Sequence, residues 1–355
     1  MCLYFSEGHF ESLLIWMKRI KKKMTEDSSA SSELSVDMTT TGIALITGEN
    51  TTLSSSSRNA EFYFQCSVLI IGVVGTANNA LILYALVASK QHKKHVLIFN
   101  QNALDLFSSF FMVLTYSLKL CNIRLTGSVG YWLCMLLVSD SLIWCGTVGS
   151  AINLASISVE RYLKVVHPEL RSWMIYLVMA FSWVGSFVYN AALVFPTSAV
   201  VDGACYAYVF WKSETARIFH DIWTFVSFYV IILLIFIFCY WRILVVIRRQ
   251  SHVMAGVVTA GPNTAEIISS QIQSSVIKTM ILVCALYAIS WLPVNVYILN
   301  MDLNPNSSFT DGSNYYASIS IAFLYTCTNP FIYAISFTPV REILLRLVVC
   351  KKTSE

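Results

Sequence analysis

Seven apolar stretches, each long enough to cross a bilayer as a helix, follow one another between residues 61 and 337 with no soluble domain between them. They run roughly over 61–88, 96–121, 133–165, 173–196, 216–247, 271–300 and 315–337. A spanning helix needs about 20 mostly apolar residues. In hydrocarbon every backbone N–H and C=O must find a partner inside the protein, which leaves helices or a closed barrel. These runs are uniformly apolar and lack the period-two alternation of barrel strands. The fold class is therefore an all-α membrane protein, a seven-transmembrane helix bundle. Composition agrees: 56% of the 355 residues are hydrophobic, 12% are charged and the mean hydropathy is +0.63. That charged fraction is about half of a soluble domain's. A formal net charge of +4 is too mild to suggest a nucleic-acid partner.

The flanks are of another kind. Residues 1–60 are read as a largely disordered extracellular tail, 61–349 as the helix bundle and 350–355 as a short cytoplasmic tail. In the first, a short apolar patch (Leu13 to Trp16) precedes the basic run Lys18 to Lys23, the reverse of a signal peptide's order. Met24 could serve as the start as well as Met1. From Thr25 to Asn59 the chain is rich in Ser, Thr and acids and too poor in apolar residues to fold alone. It carries one glycosylation acceptor, Asn50-Thr51-Thr52.

Lys and Arg set the orientation. Lys90, Lys93, Lys94, Lys164, Arg171, Arg248, Arg249, Arg341, Arg346, Lys351 and Lys352 fall on one side. The other side holds Asp202, Glu214, Asp302 and Asp311, with Arg124, Lys212 and Arg217. The C-terminus is thus expected in the cytoplasm and the N-terminus outside. On that outer, oxidising side Cys134 and Cys205 can pair, with Cys121 as a competing partner.

Polar residues inside the spans are costly and need a reason. Asn78 and Asn79 follow Gly72 and Gly75, small residues that let helices approach closely. Asn100, Asn102 and Asp105 lie in the second run, Ser150 and Asn153 in the third, and Asn329 in the seventh. Around Asp105 two readings stand: a polar knot between helices, or a site for a cation. Pro293 and Pro330 each remove a backbone hydrogen bond and mark kinks. Glu160, Arg161 and Tyr162 end the third run, where the carboxylate can neutralise the guanidinium at the membrane boundary.

Taken in order, these residues resemble the rhodopsin-like (class A) G-protein-coupled receptors along nearly all of 65–350. The matches are Asn79, Leu104-Asp105, Glu160-Arg161-Tyr162, Trp183, Cys239-Tyr240 with Ile243, Trp291 with Pro293, and Asn329-Pro330 with Tyr333. Val340-Arg341-Glu342-Ile343 looks like the short amphipathic helix on the inner leaflet. Cys350 beside Lys351 and Lys352 resembles a palmitoylation site, making membrane lipid a partner. The resemblance implies an extracellular ligand and a heterotrimeric G protein. The G protein would engage a cytoplasmic switch built on Glu160, Arg161, Tyr162, Tyr240, Asn329, Pro330 and Tyr333. It also implies a sodium ion held by Asn79, Asp105, Ser150 and Asn329, and a ligand cavity floored by Trp291, with Asp140, Ile143 and Asn295 as further pocket candidates. No other cofactor is expected.

Departures from the family pattern are as informative. Ile232 replaces the usual proline of the fifth helix, Tyr287 stands for the usual Phe, and Ala151 lies where a larger residue packs beside it. Tyr325 replaces an Asn of the sodium site, and Gln273 the glutamate that sometimes latches Arg161. Cys134 lies farther from Arg161 than in the family, which predicts either a bulge or a loop position there. The seventh run has no Lys, so a retinal Schiff base is excluded; Ile143, eighteen residues before Arg161, stands where amine receptors carry Asp. The wording from Glu160 to Pro168 is similar to peptide receptors, and a peptide is the favoured ligand. The rival class is a multi-span transporter or channel, which would show internal repeats or charged rings. Enzymatic function is not expected: no metal-binding His-Glu-x-x-His helix or phosphate-binding glycine loop lies in a suitable place.

Overall fold

Each apolar run folds as a helix because lipid offers its backbone no hydrogen-bonding partner. The computed structural model describes the backbone of residues 55–166, 172–256, 264–303, 312–336 and 338–349. Side chains are described over 59–166, 173–246, 279, 281–303, 312–332 and 340–346. The first helix is Ser55–Ala88 and the second Val96–Leu120, joined by a 3₁₀ turn at Gln91–Lys93. The third is Ser141–Val166, the fourth Ser172–Thr197, the sixth Thr264–Leu303 and the seventh Gly312–Ser336. The fifth runs from Glu214 to Gly256 through a π-helical turn at Val226–Val230. A terminal helix, Thr338–Val349, buries Val340 and exposes Arg341 and Glu342, the pattern of an amphipathic helix. The first helix starts six residues before the expected boundary at 61. Residues 1–54, with Asn50 and both Met1 and Met24, and residues 350–355, with Cys350, lie outside the described residues.

Among the described residues, six helices are long and apolar enough to span a membrane, the first to the sixth. The seventh, richer in polar residues, packs between the first and the sixth. The third helix is central, against the second, fourth and fifth. Gly72 and Gly75 bring the first helix onto the second: a Cβ on Gly72 would lie 2.9 Å from that of Met112. Outward faces carry Phe181, Ile237 and Ile289 exposed, as surfaces solvated by acyl chains should.

The third span does contain the predicted bulge. A short helix, Gly127–Leu133, leads into a π turn at Cys134–Val138, and Asp140 then adopts φ 60° before the main helix begins. Beyond the fourth helix, β1 (Ala199–Val201) pairs antiparallel with β2 (Ala204–Tyr206), Val200 opposite Cys205. The two turn residues, Asp202 and Gly203, both have positive φ (52° and 82°), the geometry that suits an Asp-Gly hairpin to the twist of its strands. Cys205 is disulfide-bonded to Cys134, across 71 residues, while Cys121 is free and exposed. The bond and the hydrogen bond from Leu125 N to Gly203 O (2.9 Å) draw the hairpin over the mouth of the bundle.

Replacing either Cys134 or Cys205 with Ala should therefore release the hairpin and impair surface expression or ligand binding to a similar degree. The double substitution should add little. Additive losses measured by ligand binding would show that the two cysteines act separately.

Candidate functional site

Under the hairpin lies a cavity of about 1370 Å³, enclosed by all the helices but the terminal one. Along the third helix its wall is formed by Asp140, Trp144, Thr147, Val148 and Ala151, the three- and four-residue spacing of a single helical face. Ile143 lies one residue off that stripe. It is fully buried in the core and does not line the cavity, so it is not a pocket residue as expected. Trp291 lies within 6.1 Å of both the Trp144 and Tyr287 rings, and Asn295 donates to Trp291 O at 2.7 Å. Both line the cavity, and the Trp291 indole N–H is buried without a partner.

Asp140 lines the cavity too, but its carboxylate is already engaged. Lys119, from the second helix, donates to both of its oxygens at 2.9 and 2.8 Å. The same ammonium lies 4.6 Å from the Tyr116 ring centroid. The bulge at Cys134–Val138 explains the pairing, because it turns Asp140 inward toward the second helix.

Where the fifth helix lacks its proline, the π turn at Val226–Val230 supplies the irregularity instead. The Tyr287 hydroxyl donates to Phe228 O inside that turn. Reciprocally, Tyr229 donates to Ala288 O at 3.0 Å. The hydroxyl that distinguishes Tyr287 from Phe is thus half of a clasp between the fifth and sixth helices.

Deeper still is a polar centre. Asp105, fully buried, accepts from Ser150 Oγ at 2.7 Å, Asn329 Nδ2 at 2.9 Å and Gln101 Nε2 at 3.4 Å. Asn79 donates to Thr326 O at 3.0 Å, tying the first helix to the seventh. At the end of the third helix away from the cavity Glu160 lies 2.6 Å from Lys164 but 3.7 Å from Arg161. The Arg161 guanidinium lies 3.4 Å from His95 Nδ1 at the foot of the second helix. The Tyr240 hydroxyl is 3.2 Å from Ser158 Oγ, and Tyr162 meets the Phe238 ring at 5.6 Å. Asn329 and Pro330 lie in the seventh helix. Tyr333 shares that helix, but its side chain, like that of Gln273, lies outside the described residues.

Residues 78–333 match the family model described as 7 transmembrane receptor (rhodopsin family). The chain belongs to that family. It is 23% identical over 303 residues to the melatonin receptor type 1C of Gallus gallus, covering 81% of this chain and 82% of that one. It is 26% identical over 303 residues to galanin receptor 2b of Danio rerio, covering 79% and 73%. The fold resembles that of squid rhodopsin with a TM-score of 0.66 at 18% identity, over 82% of this chain and 86% of that one. The protein is a G-protein-coupled receptor, not a transporter or channel.

The family resemblance implies a sodium ion at Asp105, and the donor set of this receptor does not fit one. A cation needs oxygens turned toward it; here Ser150, Asn329 and Gln101 all turn hydrogens toward the carboxylate. Asn79 Oδ1 and Asn329 Oδ1 are buried acceptors without a donor, but the carboxylate itself is already surrounded by donors.

Lys119, Gln101, His95 and Tyr229 escaped the sequence reading. Gln101 and Asp105 stand at i and i+4, one helical face, which was the available signal for Gln101. His95 had none, because its partner lies 66 residues away.

Burial, and after it the charges of Arg161 and Lys164, lower the pKa of His95 from 6.5 to about 4; Lys94 acts in the same sense and Glu160 opposes them. The folded receptor therefore keeps His95 neutral where the unfolded chain takes up a proton. Stability should fall as pH drops from about 6.5 toward about 4. His95→Gln should flatten that fall in a thermal-unfolding series across this window, and identical slopes in both proteins would clear His95 of the effect.

Proposed function

We propose that this receptor lies in the plasma membrane with its N-terminus outside, and that its ligand is an extracellular peptide. The observation that carries the ligand class is the cavity. At about 1370 Å³ it is larger than the roughly 300–1,000 Å³ of small-molecule sites. Lys119, Asp140 and Arg217, which line it, are already ion-paired. Asp140 holds Lys119, and Arg217 reaches Asp302 at 2.7 Å. Among the described residues, the carboxylate that the third-helix stripe itself brings to the cavity, Asp140, is already taken by Lys119 and is not free to anchor a small amine. Tyr315 to Phe337 holds no Lys for a retinal Schiff base. The Lys and Arg content of the loops supports the orientation. It places Asn50 where glycosylation occurs and Cys350 where a palmitoyl chain, with Lys351 and Lys352, would anchor the tail to lipid.

The heterotrimeric G protein docks at the opposite end, around Glu160, Arg161, Tyr162, Tyr240, Asn329, Pro330 and Tyr333. Arg161 is the switch. A ligand that favours the open form shifts the population only by its differential affinity for the two states. The side chain to be freed is held weakly, by a carboxylate at 3.7 Å and an imidazole at 3.4 Å.

A peptide library read through nucleotide exchange on added G protein tests the ligand class; activation by small amines alone would overturn it. Arg161→Ala should abolish exchange while ligand binding persists. Glu160→Gln should raise basal exchange only a few-fold. A charge-assisted hydrogen bond is worth ~1.5–3 kcal/mol, and the 3.7 Å contact is weaker than one. Normal signalling by Arg161→Ala would reduce the residue to a helix-end anchor.

A further inference from the structure

We propose that the carboxamide of Gln101 takes the place of a cation at Asp105, so that the polar centre of this receptor is closed to sodium. Gln101 is fully buried one helical turn before Asp105, on the cytoplasmic side in the orientation proposed above. Its two amide hydrogens go to Ser150 Oγ and to Asp105 Oδ2. That leaves the Ser150 hydroxyl proton for Asp105 Oδ1.

Amide orientation decides the matter, because a Gln turned the other way would offer sodium an oxygen. Two fixed points set it. The indole N–H of Trp183 can only donate, and it donates to Asn100 Oδ1 at 2.9 Å. Asn100 Nδ2 therefore faces Asn153 Oδ1, at 2.9 Å, with Ser182 Oγ at 3.3 Å. From the other side Leu97 O can only accept, and it takes a hydrogen from Asn153 Nδ2 at 3.0 Å. Both constraints give Asn153 the same orientation. Its remaining hydrogen goes to Gln101 Oε1 at 2.8 Å. The Gln101 nitrogen then has nowhere to point but at Ser150 and Asp105.

The three donors around the carboxylate differ in freedom. Ser150 is a hydroxyl that can rotate. Asn329 has an oxygen with no donor, so turning it over loses only its bond to Asp105. Gln101 alone is held at its far end, through Asn153, by a backbone carbonyl and an indole. A sodium ion that drew the oxygens of Ser150 and Asn329 toward itself would still meet the Gln101 amino group.

The test is the thermal-unfolding midpoint of purified full-length receptor in sodium, potassium or choline chloride at equal ionic strength, which removes screening as a cause. Wild type should unfold at the same temperature in all three. Gln101→Met keeps the volume but removes the donor, and should gain a midpoint rise specific to sodium. Asp105→Asn added to it should abolish that rise. Asn153→Ala leaves Gln101 in place but free to turn over, and should gain sodium sensitivity as well. A sodium-specific rise in wild type overturns the proposal whatever the variants do. Folded Gln101→Met and Asn153→Ala that both stay blind to sodium overturn the part assigned to Gln101.

Discussion

Asp105 is held in the middle of an apolar bundle by hydrogen-bond donors alone, and much of the arrangement around it follows from that. A buried polar group left unpaired costs about 1–3 kcal/mol, and more if charged. Its donors come from the second, third and seventh helices. The donors in turn need partners, which brings in Asn153, Asn100 and, through Trp183, the fourth helix. The chain of bonds thus fixes the rotation of four helices about their axes. Packing of apolar faces against lipid-like neighbours does this poorly, since acyl chains are as apolar as Leu.

The fifth and sixth helices are joined by a different device. Neither contributes a described side chain to the cluster around Asp105. The π turn at Val226–Val230 frees a carbonyl, and Tyr287 reaches across to take it, while Tyr229 reaches back to Ala288 O. Ile232 and Tyr287, which as single residues look like losses of the family pattern, are therefore connected. Without the proline, the turn that exposes Phe228 O is stabilised by the hydroxyl that Phe would lack. Tyr287 also lies against Phe236, Tyr325 and Trp291, so the clasp and the cavity-lining Trp291 share one aromatic cluster.

The helices were legible because the property that makes them, sustained apolarity, is local. All seven runs were found, and so were the bulge before the third helix and the Cys134–Cys205 bond. Asp202-Gly203 carried a hairpin signal as well, which the search for spans passed over. The errors lie where one helix meets another. Ile143 and Trp144 differ by one position, yet one is core and the other cavity wall. Which is which depends on rotation about the helix axis, set by partners such as Ser108, whose hydroxyl donates to Ile143 O at 3.0 Å. Asp140 needed Lys119, and Arg161 needed His95; neither partner shares a helix with its mate, so no periodicity could reveal them.

The two ends of the third helix show how charge is used differently across the same bundle. At the cavity end, Lys119 and Asp140 form a close pair with both carboxylate oxygens engaged, and the ammonium rests against an aromatic face. At the opposite end, Glu160 spends its best contact on Lys164, an exposed side chain on the next turn, and leaves Arg161 with longer ones. That i,i+4 pair holds the buried carboxylate where it attracts Arg161 without binding it tightly. A tightly bonded guanidinium would raise the cost of any state that moves it elsewhere. A loosely held one keeps the two arrangements within a few kcal/mol, the range in which differential ligand affinity can reverse their populations. With Arg161 as the proposed switch, the rigid pair belongs to the end that keeps the cavity's shape, and the loose one to the end that changes.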